Sequence, residues 1–267
     1  MTKQDFENLA AKYREELYGR VLPFWLEKSQ DLAYGGYFTC LNRDGSVFDT
    51  DKFVWLQGRE VWMFAMLYNK VEKNEAWLAC AKQGAEFLEK FGHDGNYDFY
   101  FSLTREGKPL IAPYNIFSNT FACMAFAQLA VATGDEHYAD IARRTFQRIL
   151  ERRSNPKGKW LKAVPGTRPM KDFALPMIIC NMALEIEPII EDKSLLDKTI
   201  EEALHELYER KLQSVIVEGG RKVLDAFIGA GLYDEVRILR SPQTLGNGLP
   251  TPAIPPISPH RLIIIEP

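Results

Sequence analysis

The segment NEAWLACAKQGAEFL (74–88) is matched by DEHYADIARRTFQRI (135–149) at a constant offset of 61 residues. In both copies apolar residues recur every three or four positions, which is typical of an amphipathic helix. A more apolar stretch precedes each copy, VWMFAMLY (61–68) in the first case and TFACMAFAQLA (120–130) in the second. The repeat therefore predicts a unit made of a buried helix, a short turn and an amphipathic helix.

Segments rich in glycine and aromatic residues separate these helix pairs, at 33–48, 93–109 and 155–169. The first two alternate side chains around Asp44-Gly45 and Glu106-Gly107, which predicts short β-hairpins. Helix pairs joined by hairpin loops are typical of an α/α toroid, whose loops line a central cleft. A complete toroid of six helix pairs, at about 60 residues a pair, would need roughly 360 residues. This chain is long enough for only three to four such pairs before its composition changes. The predicted fold class is mainly α, a partial (α/α)6 toroid.

The overall composition excludes several classes of protein. The 33 Lys and Arg residues are balanced by 36 Asp and Glu residues, and the net charge of −3 provides no field for nucleic acid. The longest apolar runs fall short of the roughly 20 residues of a membrane helix, and the first residues lack a signal-peptide pattern. We therefore expect a cytoplasmic protein without nucleic-acid or membrane partners.

The four cysteines point to neither a metal nor a disulfide. They are spaced about 40 to 60 residues apart, without a CxxC motif or a neighbouring histidine. We expect apolar, buried thiols at these positions. The residues are Cys40, Cys80, Cys123 and Cys180.

The composition changes near residues 205–212. Thirty of the 32 aromatic residues lie within 1–211, whereas seven of the fifteen prolines lie in the last 56 residues. Such a shift indicates that two kinds of structure meet. We predict two domains, an incomplete toroid at 1–205 and a second piece at 206–267.

The second piece has an alternating α/β pattern. QSVIVEGG (213–220) is a β-branched run ending in two glycines, RKVLDAFIGAGL (221–232) has helical spacing, and EVRILRS (235–241) is another strand candidate. This order predicts a small β-α-β unit. A Pro-rich stretch follows, and RLIIIE (261–266) is either a last strand or an unpaired apolar tail.

Several motifs of the helical part match one known family, in order and over about three quarters of the chain. They are GGYFTCLNRDG (35–45), DKFVWLQGREVWMFAMLY (51–68), GNYDFYFSLTREG (95–107), NIFSNTFACMAFAQLAVATGDEHYADIA (115–142), NPKGKWLKAVPGTRPMK (155–171) and ALPMIICNMALEIE (174–187). Together they resemble the N-acylglucosamine 2-epimerase family. The cellobiose branch of that family has histidines where this chain has Cys180 and Met182. The resemblance implies a sugar 2-epimerase of the N-acylglucosamine branch.

The end of the chain resembles a different protein. LQSVIVEGGRKVLDAFIGAGLYDEVRILRSPQTLGNGLPTP (212–252) is similar to the C-terminal part of the pyrimidine reductase domain of the bifunctional riboflavin-biosynthesis deaminase/reductase. Because neither family is present whole, we predict a fusion, biological or artefactual, with its junction around 200–212. The alternative is that 212–267 is a divergent last part of the toroid.

Epimerisation beside a carbonyl needs a group that removes the C2 proton and another that returns it on the opposite face. Histidine suits both tasks, since its pKa is near neutrality. The resemblance implies that the family's two catalytic histidines belong to its second half, which has no match here. The histidines present, for which we expect surface or packing roles, are His93, His137, His205 and His260.

Arg59 is the strongest candidate site residue. It lies in WLQGREVW at the start of an apolar inner helix, where burying an unpaired cation would be costly. It therefore faces a polar cleft or forms an ion pair with Glu60 or another acid. The family resemblance implies that Arg59 is a catalytic residue that contacts the open-chain oxygen of the sugar.

Four further residues are candidates for substrate binding. Trp55, Trp62 and Tyr114 could stack on sugar faces, although aromatic stripes at helical spacing also build cores. Asn119 starts the second inner helix, so it either touches ligand or caps that helix.

Two weaker binding signals remain. The basic loop RRSNPKGKW (152–160) lacks the order of a P-loop, but the family resemblance implies a regulatory nucleotide such as ATP there. Its candidate residues are Arg153, Lys157, Gly158 and Lys159. In the tail, Glu218, Gly219 and Gly220 match the VEGG turn of the reductase, where glycines permit close ligand approach.

The sequence thus predicts a sugar epimerase that is truncated and inactive, binds a small amino sugar, and needs no cofactor for epimerisation. A homo-oligomer is expected because an open ring leaves apolar helix surface uncovered. Two alternatives remain open, namely a non-catalytic sugar- or nucleotide-binding fragment and an NADPH-dependent reductase fragment of the riboflavin pathway.

Overall fold

A computed structural model describes residues 2–153, 174–192, 194–218, 220–242, 250–256 and 262–265. The chain divides into two compact units, one comprising Glu7–Glu191 and the other comprising Met1–Phe6 with Asp192–Pro267. The division thus falls before the predicted domain boundary at 205/206. In chain order the helices are α1 (Lys3–Glu16), α2 (Leu22–Lys28), α3 (Val54–Lys70), α4 (Glu75–Phe91), α5 (Phe117–Thr133), α6 (Glu136–Glu151), α7 (Ala174–Ile186), α8 (Leu195–Glu209) and α9 (Arg221–Gly229).

The strands are short and lie between the helices. They are β1 (Cys40–Leu41), β2 (Val47–Asp49), β3 (Lys52–Phe53), β4 (Ser102–Leu103), β5 (Pro109–Ile111), β6 (Val236–Leu239) and β7 (Leu262–Ile265). Strands β1 and β2 form an antiparallel hairpin, and β3, β4 and β5 form a three-stranded antiparallel sheet in that order. The hairpin predictions are confirmed, since Gly45 and Gly107 adopt the positive φ angles that these turns require. The third predicted loop, 155–169, lies outside the described residues.

The helix-pair repeat is also confirmed. Helices α4 and α6 begin at Glu75 and Glu136, which are the positions that the 61-residue offset equates. Each start has an equivalent cap, because Asn74 accepts a hydrogen bond from the Ala76 N–H (3.0 Å) and Asp135 from the His137 N–H (2.9 Å). Asn74 and Asp135 differ in residue type, but each caps the first turn of its helix in the same way.

The inner helices are α3 and α5, and their packing explains the two kinds of apolar pattern. Helix α3 packs on α4 and α5, and α5 packs on α6 and α7. Every residue from Ala122 to Ala130 is buried, so α5 is covered on nearly all sides. Helices α4 and α6 bury one face only, which is why their sequences have an amphipathic pattern. At Gly58 of α3, an added Cβ would come within 2.8 Å of the Phe121 backbone of α5, so the backbones approach closely there.

Helix α1 is formed near the start of the chain, but none of its residues is buried. A π-helical turn, Leu17–Val21, continues it towards α2. Apolar side chains of this segment are exposed, including Phe6, Tyr13 and Val21. The amphipathic face of α1 is therefore uncovered in this structure.

The second unit contains a helix and two strands in its tail. Helix α9 begins directly after Gly220, and β6 pairs in parallel with β7, so Leu262–Ile265 of the predicted segment forms a strand. The strand predicted at 213–217 is not formed, and residues 212–218 have no regular secondary structure. A strand needs a hydrogen-bonded neighbour, and no described strand pairs with this segment. Its side chains include the exposed Val215 and Ile216.

Across the described ranges, no helix combines the length and apolar character needed to cross a membrane.

Candidate functional site

One side of α3 is only partly covered by the other helices that the structure describes. Gly58 and Glu60 are buried, whereas Arg59 between them is exposed, and Trp55 and Trp62 on the same side are half-buried. Unpacked sides of α5 and α7 adjoin it through the contacts described below. We call this surface the cleft face and define it by Trp55, Arg59, Trp62, Phe117, Phe121, Met177, Asn181 and Glu185.

Arg59 lies against two aromatic rings of the cleft face. Its Cζ atom is 5.1 Å from the ring centroid of Trp55 on α3 and 4.6 Å from that of Phe121 on α5. A guanidinium over an aromatic face is attracted by the ring quadrupole and keeps its N–H donors available. Within the described part of the chain, no carboxylate pairs with Arg59. Phe121 is not among the site residues predicted from the sequence, although it lies in the family motif at 115–142.

Glu60 is not the partner of Arg59. It points into the interior, where its carboxyl contacts the Ser29 hydroxyl. Ser29 also donates a hydrogen bond to the Trp25 carbonyl oxygen. The Ser29 hydroxyl has a single proton, which it donates to the Trp25 carbonyl. Both contacts are therefore hydrogen bonds when Glu60 is protonated and donates to the Ser29 oxygen. Burial raises the pKa of Glu60 to about 8, against the opposing effect of Ser29.

The raised pKa of Glu60 predicts that the stability of the protein depends on pH. Because its folded-state pKa is about 8 and its ordinary value is 4.5, the unfolded chain loses this proton first. Stability is therefore lost as pH rises between these values. A single proton corresponds to about 1.4 kcal/mol per pH unit, so we expect wild type to lose about 2–3 kcal/mol from this group between pH 6 and 9. Urea unfolding at both pH values should show this loss, and Glu60→Gln should remove it.

A matched control is Glu86→Gln on the exposed side of α4, which should keep the pH dependence of wild type. An unchanged pH dependence in Glu60→Gln would show that Glu60 is ionised in the folded protein.

Trp62 takes part in a polar network that joins the three helices of the cleft face. Its indole Nε1–H donates to Glu185 Oε2 of α7 (3.1 Å), which also accepts from Gln128 Nε2 of α5 (2.9 Å). Asn69 of α3 donates in turn to Gln128 Oε1 (3.0 Å). Glu185 was not predicted as a site residue. A charge within the apolar run ALPMIICNMALEIE was the signal that could have identified it.

Tyr114 lies in an aromatic group next to the start of α3. Its ring centroid is 5.1 Å from that of Phe101, which is 5.7 Å from Phe53. Phe53 is the last residue before α3, and the Phe101 carbonyl accepts a hydrogen bond from the Val54 N–H. The structure thus places Tyr114 in the loop layer beside the helix that bears Trp55 and Arg59.

Asn119 has a different role from either of the two considered for it. Its side chain is fully buried; Oδ1 accepts from the Phe99 N–H (3.1 Å) and Nδ2 donates to the Tyr97 carbonyl (2.8 Å). Tyr97 has a φ of 60°, a strained value for a residue other than glycine. Asn119 therefore holds the loop after α4 on the start of α5.

None of the described histidines is among the residues that define the cleft face. The His93 ring stacks on Tyr97 (4.9 Å between centroids), and His137 Nε2 is 2.7 Å from Glu89 Oε1 on an exposed surface. His205 is an exposed residue of α8, and His260 lies outside the described residues. Burial lowers the pKa of His93, against the opposing charges of Asp94 and Glu89.

The basic loop is described only at its beginning. Arg152 pairs with the buried Asp98 (2.7 Å), as does Arg148, so Arg152 serves to anchor the loop after α4. Arg153 is exposed, while Lys157, Gly158 and Lys159 lie outside the described residues. In the tail, Glu218 is exposed in an irregular segment and Gly220 is the N-cap of α9, whereas Gly219 lies outside the described residues. The candidate sites at both places stay predictions.

The comparison with protein families decides the family membership. The model of the N-acylglucosamine 2-epimerase family (GlcNAc 2-epimerase) matches residues 36–222. The chain belongs to this family. The match extends past the predicted junction into the first residues of the reductase-like string.

Named relatives support the same membership. N-acylglucosamine 2-epimerase of Bos taurus is 35% identical over 211 residues, covering 77% of this chain and 49% of the relative. N-acylglucosamine 2-epimerase of Rattus norvegicus is 37% identical over 186 residues, covering 68% and 44%. The chain therefore spans about half the length of these relatives.

The structural comparison concerns the fold. Cellobiose 2-epimerase from Bacillus thermoamylovorans B4167 has a TM-score of 0.65 at 20% sequence identity, covering 78% of this chain and 57% of that one. This likeness confirms the predicted α/α-toroid fold class. At this identity it shows the fold alone.

Proposed function

We propose that this chain binds an N-acylated amino sugar of the N-acetylglucosamine and N-acetylmannosamine type on the cleft face, without epimerising it. The observation that carries the proposal is Arg59, an exposed guanidinium resting on Trp55 and Phe121 with no carboxylate partner among the described residues. Membership of a sugar 2-epimerase family supplies the substrate class. The proposal calls for no cofactor.

The chemistry of the site fits an open-chain sugar. Guanidinium donors stabilise negative charge on the oxygen of a carbonyl or an enediolate, because they are already oriented where that charge develops. Trp55 and Tyr114 would offer ring faces to the apolar C–H side of the sugar, leaving its hydroxyls free to form hydrogen bonds. Asn119 would support this arrangement by fixing the loop after α4.

Titration calorimetry with N-acetylmannosamine tests the proposal. We expect Arg59→Ala to weaken binding roughly 10- to 100-fold, since hydrogen bonds from a charged donor to ligand are lost. Arg59→Lys should recover only part of the affinity, because it lacks the planar set of donors.

Arg20→Ala is a suitable control, since Arg20 lies in the exposed π-helical turn with a side chain that is 78% exposed. It should bind like wild type. If wild type and Arg59→Ala bound N-acetylmannosamine equally, Arg59 would not be a substrate-binding residue.

Three finer points stay proposals. A regulatory nucleotide such as ATP would bind at the basic loop, and self-association would cover apolar side chains of α1 such as Tyr13. Residues 206–267 would be a fused fragment of a pyrimidine reductase, supported by a helix that starts after Gly220 and by the parallel pairing of β6 with β7. The cytoplasmic location and the absence of nucleic-acid partners stay predictions from the sequence.

A further inference from the structure

The carboxylate of Glu185 occupies an unusual position on the cleft face. It projects from α7 and is held through Oε2 by two neutral donors, Trp62 Nε1–H and Gln128 Nε2–H. Among the residues that the structure describes, no lysine, arginine or histidine pairs with it, and Oε1 accepts no hydrogen bond. An ionised carboxylate has room for about four donors. Glu185 therefore retains acceptor capacity on a half-buried surface.

The network around Glu185 fixes the carboxylate in place. Gln128 is 5% exposed, and its amide is oriented because Asn69 Nδ2 donates to both its side-chain oxygen and its backbone carbonyl. An oriented Gln128 amide must present its N–H group to Glu185. The carboxylate is thus positioned before any ligand arrives, which reduces the entropic cost of binding.

Glu185 contacts α3 about one helical turn away from Arg59. It contacts Trp62, which is one helical turn after Arg59 on the same side of α3. The cleft face therefore presents a cation and a carboxylate acceptor about one turn apart along α3. A ligand that suits both carries an oxyanion or carbonyl oxygen at one end and O–H or N–H donors a few bonds away. An open-chain amino sugar has this pattern.

We propose that Glu185 is a specificity-determining residue that accepts a hydrogen bond from an O–H or N–H donor of the sugar through Oε1, with Trp62 and Gln128 as its positioning residues. The proposal rests on the proposed sugar-binding function. Glu185 is not among the site residues predicted from the sequence. Its role would explain the presence of an indole N–H donor at position 62.

Titration calorimetry measures how much Glu185 contributes to the affinity for the sugar. We expect Glu185→Gln to raise the Kd for N-acetylmannosamine roughly 10- to 100-fold, because a charge-assisted hydrogen bond becomes a neutral one or is lost. Trp62→Phe should have a smaller effect, since Gln128 still holds the carboxylate. Glu191→Gln, an exposed position after α7, should match wild type. Mannose, which lacks the amide N–H, distinguishes the two donors, because Glu185→Gln should weaken mannose binding only if a hydroxyl is the donor.

The indole N–H signal of Trp62 provides a second, spectroscopic readout. The chain has five tryptophans, so the signal that disappears from the ¹H–¹⁵N spectrum of Trp62→Phe is assigned directly. Saturating N-acetylmannosamine should shift this signal in wild type, because the sugar changes the charge density on its acceptor. Trp62 itself lies on the cleft face, so a sugar beside its ring also shifts this signal, and the test is whether Glu185→Gln reduces the shift. A shift of equal size in Glu185→Gln contradicts the proposed role of Glu185.

The outcomes separate the two proposals. Weaker binding by Glu185→Gln together with a smaller shift of the Trp62 signal in that variant supports the inference. Equal Kd values for wild type and Glu185→Gln overturn it and leave the proposed function intact. Should Glu185→Gln not fold, an unmoved Trp62 signal in sugar-saturated wild type overturns it alone. Absence of sugar binding by wild type overturns both proposals together.

Discussion

Replacing Asp31 by asparagine is expected to lower the free energy of unfolding by about 3–5 kcal/mol, the usual cost of leaving a buried charge without its partner. Lys52 has no exposed side-chain surface, and its Nζ is 3.0 Å from Asp31 Oδ2. Arg105 binds the same carboxylate in a bidentate manner, at 2.8 and 3.1 Å. Asparagine would leave Lys52 charged and buried with neutral acceptors only, among them the carbonyl oxygens of Gly35 and Arg105.

This ion cluster matters for the cleft face as well as for stability. Lys52 belongs to β3, which leads directly into α3, and Asp31 lies in the turn after α2. The cluster therefore fixes the start of the helix that bears Trp55 and Arg59. Burial of Asp31 acts to raise its pKa, but hydrogen bonds from Arg105 and Lys52 prevail and hold its pKa at about 2. Its stabilising contribution is present above the ordinary carboxyl pKa and is lost as pH falls towards 2.

Urea unfolding followed by tryptophan fluorescence measures this effect, since all five tryptophans lie within residues 7–191. Asp140→Asn, at an exposed pair with Arg144, should change stability by less than about 1 kcal/mol. Adding Lys52→Met to Asp31→Asn should recover part of the loss, because it removes the uncompensated charge. A loss below about 1 kcal/mol for Asp31→Asn would show that Lys52 finds adequate compensation elsewhere.

Local sequence patterns predict much of the helical unit. The offset of 61 residues locates the starts of α4 and α6, because each start depends on a cap and an apolar period contained in the segment itself. The hairpins at Gly45 and Gly107 follow from turns that require a positive φ. The exposure of Arg59 follows from the cost of burying an unpaired cation within an apolar helix.

Features that depend on distant partners could not be predicted in this way. Glu185 and Trp62 are 123 positions apart in sequence, and Asp31 and Arg105 are 74 positions apart. The use of Asn119 to hold a loop depends on Tyr97, whose backbone conformation has no sequence signal. The apolar run at 213–217 predicted a strand, but a strand forms only where a neighbouring strand accepts its hydrogen bonds.

The purified 267-residue polypeptide is expected to interconvert N-acetylglucosamine and N-acetylmannosamine at least about 10⁴-fold more slowly than a full-length family member assayed beside it. A positioned acid or base contributes about 10²- to 10⁴-fold, and epimerisation needs one on each face of C2. In the proposed site Arg59 would stabilise negative charge, but a guanidinium is neither a proton donor nor a proton acceptor for catalysis at neutral pH. Binding without turnover is therefore the expected behaviour.

We expect that neither His93 nor His137 replaces these groups, because each makes other contacts. His93 faces Tyr97 and Phe99 in the loop after α4, and its Nδ1 accepts the Gly95 N–H (3.0 Å). His137 interacts with Glu89 on the outer surface. Glu185 lies on the cleft face, where we propose that it accepts a hydrogen bond from the bound sugar, and a single carboxylate could serve only one face of C2.

Proton NMR in D₂O tests both half-reactions at once. Removal of the C2 proton on one face alone would appear as deuterium incorporation without a new epimer, whereas full turnover would produce the epimer. We expect neither signal above the buffer control, while calorimetry on the same sample shows binding. Formation of N-acetylmannosamine from N-acetylglucosamine by protein from an epimerase-free host, abolished by Arg59→Ala, would prove that this chain carries a complete proton-transfer apparatus.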